Sequence, residues 1–143
     1  MITKLTHVTV LVRDQEKALR WYTEKLGFVK KEDDSSTIQG YRWLTIVPPH
    51  QAEPEIVLGK PRTDVGLEAV GRQQPEAYWV LGSDDCKGTY EKLRAKGVEF
   101  LGEPKEQPYG VEVGFKDLYG NIYYIIESRD AQPLEKKAVM AEA

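Results

Sequence analysis

The sequence repeats one pattern, a strand followed by a helix and further strands, at a spacing of 71 residues. The first copy begins with "THVTVLV" and continues into "DQEKALRWYTEKLG"; the second begins with "AYWVLG" and continues into "DDCKGTYEKLRAKG". At this spacing His7 corresponds to Tyr78, and Asp14 corresponds to Asp85. A period of this length, with several elements in each copy, indicates an internal duplication rather than a solenoid of short repeats.

Each copy contains one segment with the signals of an amphipathic helix. In the first copy, apolar residues recur at helical spacing on one face and polar residues occupy the other face. The apolar face consists of Ala18, Leu19, Trp21, Tyr22 and Leu26. Asp14 is placed to cap the N-terminus of this helix, and Gly27 is placed to end it in the left-handed conformation. In the second copy, Asp84 or Asp85 is the predicted N-cap and Gly97 the predicted end.

The remaining periodic segments are short and strand-like. They are "FVKKEDD", "YRWLTIV" and "EIVLG" in the first copy, and "VEFLG", "VEVGF" and "NIYYIIE" in the second. "DLYGN" predicts a tight turn before the last strand. We therefore expect an α+β fold with one βαβββ module over about residues 3–60 and a second over about 75–128. Between them, about residues 61–74 are predicted to be a linker with one short helical turn, and residues 129–143 a C-terminal tail.

Composition excludes several classes of protein. A formal net charge of −3 over 143 residues, with no basic cluster among aromatic residues, argues against nucleic-acid binding. No apolar run reaches the length of a signal peptide or of a membrane span, so neither export nor membrane binding is expected. The single cysteine, Cys86, cannot form an internal disulfide, which is typical of a cytoplasmic protein. Its position on the apolar side of the second helix predicts an inert, buried thiol.

The segments "VRDQEKALRWYTEKLGF" and "DDCKGTYEKLRAKGVEF", together with the turn "FKDLYGN", resemble the vicinal oxygen chelate superfamily. This superfamily includes glyoxalase I, extradiol dioxygenases and bleomycin-binding proteins, so the resemblance does not by itself identify a reaction. It implies the glyoxalase/bleomycin-resistance/dioxygenase fold, in which two βαβββ modules form curved mixed sheets around a cleft. It also implies a single domain over residues 1–128 and a homodimer, because modules of this type are usually paired.

In metal-using members of the superfamily, the first and last strands of each module supply histidine and glutamate ligands. His7 matches the first-strand histidine, and Glu55 can be placed on the last strand of the first module. The two matching positions of the second module are tyrosines, Tyr78 and Tyr124. A neutral tyrosine, with a pKa near ~10, is a poor ligand for a divalent cation. The resemblance therefore implies an incomplete metal site of His7 and Glu55; no cofactor is firmly implied, and a divalent Zn, Ni, Mn or Fe ion is the alternative.

Other polar residues bear on this ligand set. Glu127 lies three residues beyond Tyr124, so strand alternation directs it to the opposite face. Glu112 adds a ligand only if its strand faces the cleft, and the sequence leaves that open. "KEDD" and "SDD" are predicted to supply turn and capping residues rather than paired catalytic carboxylates. His50, between prolines, is predicted to be a solvated loop residue.

The surface predicted to line the cleft is mainly aromatic and apolar, as in a pocket for a small organic molecule. Valines at alternate positions of the first strand are expected to face the helices, which directs the intervening side chains to the cleft. The predicted ligand-binding residues are His7, Thr9, Trp43, Tyr78 and Tyr124. Three of them have a structural alternative: His7 can equally be a hydrogen-bonded structural group, and Tyr78 and Tyr124 can be core residues, which is the slightly favoured interpretation of the two tyrosines.

Three functions remain open on the sequence alone, and the first is favoured. It is a protein that binds or transforms a small organic molecule without a complete metal site; as an enzyme it would use His7 as a general base, with Tyr78 or Tyr124 as hydrogen-bond donors. The second is a divalent-metal-dependent lyase or isomerase of the glyoxalase type that uses His7 and Glu55, with Glu112 as a further candidate ligand. The third, an extradiol dioxygenase, needs two histidines and a carboxylate around iron, and Tyr78 removes the second histidine.

Overall fold

The structure is a computed structural model of the chain, and it describes residues 1–73 and 75–128. These residues form two mixed β-sheets and three helices, which confirms the predicted α+β class. The elements are β1 (His7–Leu11), α1 (Gln15–Leu26), β2 (Val29–Asp34), β3 (Trp43–Val47), β4 (Glu55–Gly59), α2 (Asp64–Glu68), β5 (Trp79–Gly82), α3 (Cys86–Ala95), β6 (Glu99–Phe100), β7 (Lys105–Gln107), β8 (Gly110–Lys116) and β9 (Ile122–Ser128). Among the helices of these ranges, none has the length and apolar character needed to cross a bilayer. The tail predicted over residues 129–143 lies outside the described residues.

The described residues fall into two compact units. The first unit contains Met1–Gln73 together with Leu118–Asn121, and the second contains residues 75–117 and 122–128. Residues 61–73, predicted as part of a linker, lie in the first unit and contain the short helix α2. The Gln73 side chain accepts a hydrogen bond from the Leu11 amide at 2.5 Å and donates to the Thr9 carbonyl at 3.1 Å. This segment therefore covers part of the exposed edge of β1.

The sheet of the first unit has the strand order β1-β4-β3-β2, with β1 and β4 parallel and the other pairs antiparallel. Val10 and Val12 are fully buried on one face, as the alternation of the first strand predicts. They share the core of this unit with Ala18, Leu19, Tyr22, Phe28, Leu44, Ile46 and Leu58. His7 lies on the opposite face of β1, which is the face that carries the candidate site.

The sheet of the second unit has the order β5-β9-β8-β6, with β7 paired to β8. In both sheets the first strand is an edge strand that pairs in parallel with the last strand, as an internal duplication predicts. The core of the second unit is rich in aromatic rings, with Phe115 stacked on Tyr123 at a centroid distance of 5.3 Å. The short strand β7 was not predicted, because "KEQ" has no apolar residue to give it a period.

The two long helices begin and end as predicted. The Asp14 carboxylate accepts a hydrogen bond from the amide three residues ahead at 3.0 Å, and Gly27 adopts φ 72° at the end of α1. Asp85 caps α3 in the same way at 2.9 Å, and Gly97, with φ 89°, follows it. These caps fix the loops that lead from β1 into α1 and from β5 into α3.

Candidate functional site

His7 and Glu55 are neighbours because β1 and β4 run parallel with these two residues paired across the strands. Paired residues on adjacent strands present their side chains on the same face of a sheet. His7 Nε2 lies 3.6 Å from Glu55 Oε2, which is too long for a hydrogen bond. Glu55 is only 7% exposed, and the Thr45 hydroxyl donates to its other oxygen, Oε1, at 2.6 Å. The register of Glu55, uncertain from the sequence, therefore places both predicted metal ligands side by side.

Glu32, which the sequence analysis did not identify, joins these two residues. The antiparallel pairing of β2 with β3 shifts between Lys30 and Glu32, so that Lys31 forms a β-bulge. Regular alternation would place Lys31 opposite Thr45, but the bulge places Glu32 there instead. Glu32 thus shares a face with Thr45, and one donor atom from each of His7, Glu32 and Glu55 lies within 4.8 Å of the others.

The prediction that "KEDD" supplies turn residues is wrong for Glu32 and Asp33, because both lie within β2. Asp33 accepts two hydrogen bonds at 2.8 Å from the Arg42 guanidinium, and these bonds lower the pKa of its carboxyl group. Asp34, at the end of β2, does have a turn role. It accepts hydrogen bonds from the Thr37 hydroxyl and from the amide and hydroxyl of Ser36, which lower its pKa to about 2.

Each of the three donor residues is held by a further polar contact. His7 Nδ1 lies 2.9 Å from the Thr6 hydroxyl, and the Trp43 indole N–H donates to Glu32 Oε2 at 2.6 Å. The rings of His7 and Trp43 also meet edge to face, with centroids 5.2 Å apart. In contrast, His7 Nε2 is buried and makes no hydrogen bond, alone among the buried side-chain nitrogen and oxygen atoms of the described residues.

This donor set fits a divalent cation. One imidazole nitrogen and two carboxylates are typical ligands of Zn, Mn, Fe, Co and Ni ions, and the unpartnered Nε2 atom faces the carboxylate of Glu55. Such an ion would act as a Lewis acid on an oxygen of a bound molecule. The three residues belong to the first unit, whereas Tyr78 and Tyr124 belong to the second.

Tyr78 and Tyr124 form an aromatic pair on the second unit, with ring centroids 5.1 Å apart and planes inclined by 55°. Tyr78 is 41% exposed, so the alternative that it is a core residue is wrong. Val80 is paired with Tyr124 and therefore lies on the same face of the sheet. Gly114 faces Tyr124 from β8, and a methyl group there would come within 3.1 Å of the ring. The absence of a side chain at this position leaves room for the Tyr124 ring.

Glu112 and Glu127 lie on opposite faces of this second sheet. Glu127 accepts a hydrogen bond from the Cys86 amide at the start of α3 at 2.8 Å, so it faces the helix as predicted. Cys86 is fully buried, and burial raises the pKa of its thiol. Glu112 is paired with the residue two positions after Tyr124 and therefore shares the face of that tyrosine. A hydrogen bond between Glu112 and the Tyr109 hydroxyl raises the pKa of Tyr109.

Each unit has a cavity beside one of the predicted ligand-binding aromatic residues. In the first unit, a cavity of about 210 Å³ lies beside Trp43 and Tyr41. In the second unit, a cavity of about 180 Å³ lies beside Tyr124, with Leu101 and Glu112 also in its wall. A cavity of ~150 Å³ holds a benzene molecule, so each of these spaces can take one aromatic ring.

Comparison with known families confirms the resemblance. The family model described as "Glyoxalase/Bleomycin resistance protein/Dioxygenase superfamily" matches residues 4–123. The chain belongs to this superfamily. Since that scaffold carries several functions, membership fixes the fold and leaves the chemistry to the residues of the site.

Three similar proteins each match almost nine-tenths of the chain. YetH of Bacillus subtilis is 38% identical over 89% of this chain and 100% of its own length. The crystal structure of a superfamily member from Sphaerobacter thermophilus is 32% identical, covers 89% of this chain and 98% of that one, and has a TM-score of 0.75. TnmS3, an antibiotic-binding protein from Streptomyces sp. CB03234, is 28% identical, covers 89% and 97%, and has a TM-score of 0.73.

Within the superfamily fold, the structure brings the predicted site residues together in two groups. His7, Trp43 and Glu55 are in contact with or close to one another in the first unit, and Tyr78 and Tyr124 form the pair in the second. Thr9 lies exposed on β1, on the same face as His7. Catalytic roles for His7, Tyr78 and Tyr124 stay predictions, as do the homodimer and the cytoplasmic location.

Proposed function

We propose that this protein binds a small organic molecule that contains aromatic rings, and that the face of the second sheet that carries Val80 and Tyr124 is its main contact surface. The observation that supports this proposal is an exposed apolar face around the tyrosine pair. Tyr78, Val80, Leu101 and Tyr109 are 41%, 58%, 46% and 51% exposed. Clustered apolar side chains left in contact with water are typical of a binding surface.

The geometry of this face suits a flat apolar ligand. The tilted rings of Tyr78 and Tyr124 leave ring surface available for offset or edge-to-face packing. The cavity of about 180 Å³ beside Tyr124 accepts one ring, and Glu112 at its wall can accept a hydrogen bond from a polar substituent. In the first unit, the cavity beside Trp43 provides a second position of similar size, about 210 Å³.

Two further observations support binding of an organic molecule without the four-ligand metal site of glyoxalase type. The positions that would carry the second module's ligands hold Tyr78 and Tyr124, which supply aromatic surface instead of charged donors. TnmS3, with which this chain shares 28% identity over most of its length, is an antibiotic-binding protein. Recognition of a multi-ring natural compound is consistent with both.

Titration of the purified full-length chain with one-, two- and three-ring aromatic compounds tests the proposal. Saturable changes in tryptophan fluorescence, checked by calorimetry, are expected for at least one of these classes. Tyr124→Ala should weaken binding about tenfold or more, because loss of ring packing and of apolar contact together exceeds ~1.4 kcal/mol. Val65→Ala is the matched control, since Val65 is 78% exposed but belongs to α2 in the first unit and is not part of the proposed contact surface.

Two results would contradict the proposal. One is a screen in which no compound gives a saturable response with the folded wild-type chain. The other is a bound compound whose affinity falls no further with Tyr124→Ala than with Val65→Ala. Tyr124→Phe separates the two parts of the side chain, because it keeps the ring and removes only the hydroxyl group.

A further inference from the structure

We propose that His7, Glu32 and Glu55 form a divalent-cation site contained within the first unit. This site differs from the ligand set that the resemblance implies, because Glu32 on β2 takes part and no residue of the second unit is required. It is independent of the aromatic surface proposed above, which uses residues of the second sheet.

The distance between the two central donors agrees with metal ligation better than with an ion pair. A hydrogen bond between a protonated histidine and a carboxylate spans about 2.7–2.9 Å. Two ligands of one tetrahedral zinc ion, each at about 2.0–2.2 Å from the metal, lie about 3.4 Å apart. His7 Nε2 and Glu55 Oε2 are 3.6 Å apart, close to the second value. The third donor, Glu32, is exposed, and one of its carboxylate oxygens lies within 4.8 Å of the donor atoms of the other two residues.

Neighbouring hydroxyl groups orient His7 and Glu55 by hydrogen bonds, as is common for the ligands of metal sites. With its ring hydrogen on Nδ1, His7 donates to the Thr6 hydroxyl and leaves the Nε2 lone pair free. The Thr45 hydroxyl holds Glu55 Oε1, which directs Oε2 towards His7. This pattern explains why the buried Nε2 atom has no hydrogen-bond partner in the protein.

The bulge at Lys31 is the local feature that brings Glu32 to the site. Without it, strand alternation would present a lysine on the face of His7 and Glu55, where it would repel a cation. Bulges are frequent beside functional sites, where they redirect one side chain. The Trp43 indole N–H then fixes the redirected carboxylate at 2.6 Å.

The donor types indicate which cations the site takes. One imidazole nitrogen with two carboxylates suits Zn²⁺, Mn²⁺, Fe²⁺, Co²⁺ or Ni²⁺, whereas Mg²⁺ and Ca²⁺ prefer oxygen ligands alone. With three protein donors, further coordination positions remain for water or for an oxygen of a ligand.

The test uses the full-length chain, freed of metal with EDTA and titrated with Co²⁺. The expected result is about one equivalent of bound Co²⁺, seen as ligand-field absorption in the visible range, and its displacement by Zn²⁺ in calorimetry. Glu32→Gln removes a proposed ligand and should weaken Co²⁺ binding by at least ~10–100-fold. That is the loss typical when a residue that hydrogen-bonds to a metal ligand is removed. Trp43→Phe, which removes the donor to Glu32, should weaken it by ~10–100-fold. Glu53→Gln is the matched control, because that carboxylate pairs with Lys4 at 2.6 Å and is not among the three donors.

Circular dichroism of the metal-free variants shows that each one is folded before its affinity is interpreted. Absence of Co²⁺ and Zn²⁺ binding to the folded wild type would overturn the proposal. Binding that His7→Ala leaves intact would also overturn it, and equal affinities of Glu32→Gln and Glu53→Gln would remove Glu32 from the site. Tyr124→Ala should bind Co²⁺ normally, so failure of the metal site and failure of the aromatic surface are separate results.

Discussion

Replacement of Thr45 by valine should destabilise the first unit by about 2–4.5 kcal/mol, because its one buried hydroxyl makes hydrogen bonds to two other groups. Thr45 is fully buried, donates to Glu55 Oε1 at 2.6 Å, and accepts a hydrogen bond from the Glu32 amide at 3.0 Å. Valine has nearly the same shape but can do neither. A hydrogen bond to a charged group contributes about 1.5–3 kcal/mol and a neutral one about 0.5–1.5 kcal/mol, which together give the expected loss.

Urea unfolding of the metal-free chain measures this effect, with tryptophan fluorescence and far-ultraviolet circular dichroism as separate signals. Thr45→Ser is the matched control, because it keeps the hydroxyl group and removes one buried methyl, at about 0.5–1.5 kcal/mol. Introducing Thr45→Val into a Glu55→Gln background completes a double-mutant cycle. Its coupling free energy should fall in the range of about 0.5–3 kcal/mol seen for residues in direct contact.

Equal or smaller destabilisation by Thr45→Val than by Thr45→Ser would refute the reasoning. That result would mean that Glu55 and the Glu32 amide find other partners without the hydroxyl, for example water. A coupling free energy near zero would lead to the same conclusion. The slope of free energy against urea should stay unchanged between the variants, which shows that the comparison concerns the same unfolding transition.

Three further changes test the fold around the sites. Gly71→Ala should lower the free energy of unfolding by at least about 1–2 kcal/mol, measured in urea, since Gly71 has φ 77° and an added methyl would fall on the Tyr119 carbonyl oxygen. Asp85→Ala removes the N-cap of α3 and should lower the melting temperature by the equivalent of about 1 kcal/mol, whereas Asp85→Ser should retain most of the stability. The folded pKa of Asp34, about 2, lies below its ordinary value of 3.8, so its stabilising effect is fully present above pH 3.8 and is lost as the pH falls through about 2. Over that interval the urea midpoint of the wild type should fall relative to that of Asp34→Asn, and parallel midpoints would contradict the assignment.

Most of the fold follows from the sequence because its signals are local. Period and capping residues place both long helices within a residue or two of their observed ends, and the repeat predicts that corresponding strands of the two sheets pair in the same order. The short strand β7 lacks such a signal, because its pairing with β8 depends on the turn between them and not on an apolar pattern. The inclusion of residues 61–73 in the first unit depends on contacts of Gln73 with β1, which are distant in sequence.

Local sequence patterns predict only some of the candidate metal ligands. His7 follows directly from strand alternation, and Glu55 follows once the pairing of β1 with β4 is known. Glu32 does not follow, because alternation along β2 assigns Lys31 to that face and only the bulge exchanges the two residues. The acidic run "KEDD" lies at the end of a predicted strand, but only the register between β2 and β3 determines which of its carboxylates reaches the site.

The two sheets place different chemistry at corresponding positions. Position 7 is a histidine held by hydroxyl and indole neighbours, while position 78 is an exposed tyrosine packed on Tyr124. The corresponding strands of the two sheets pair in the same order, so the chemistry of these two positions differs on a similar strand arrangement. The variant Tyr78→His should therefore fold normally. Its affinity for aromatic compounds should fall, because the contact between the Tyr78 and Tyr124 rings is lost. If that variant instead kept full affinity for the same compounds, the tyrosine pair would not be their contact surface.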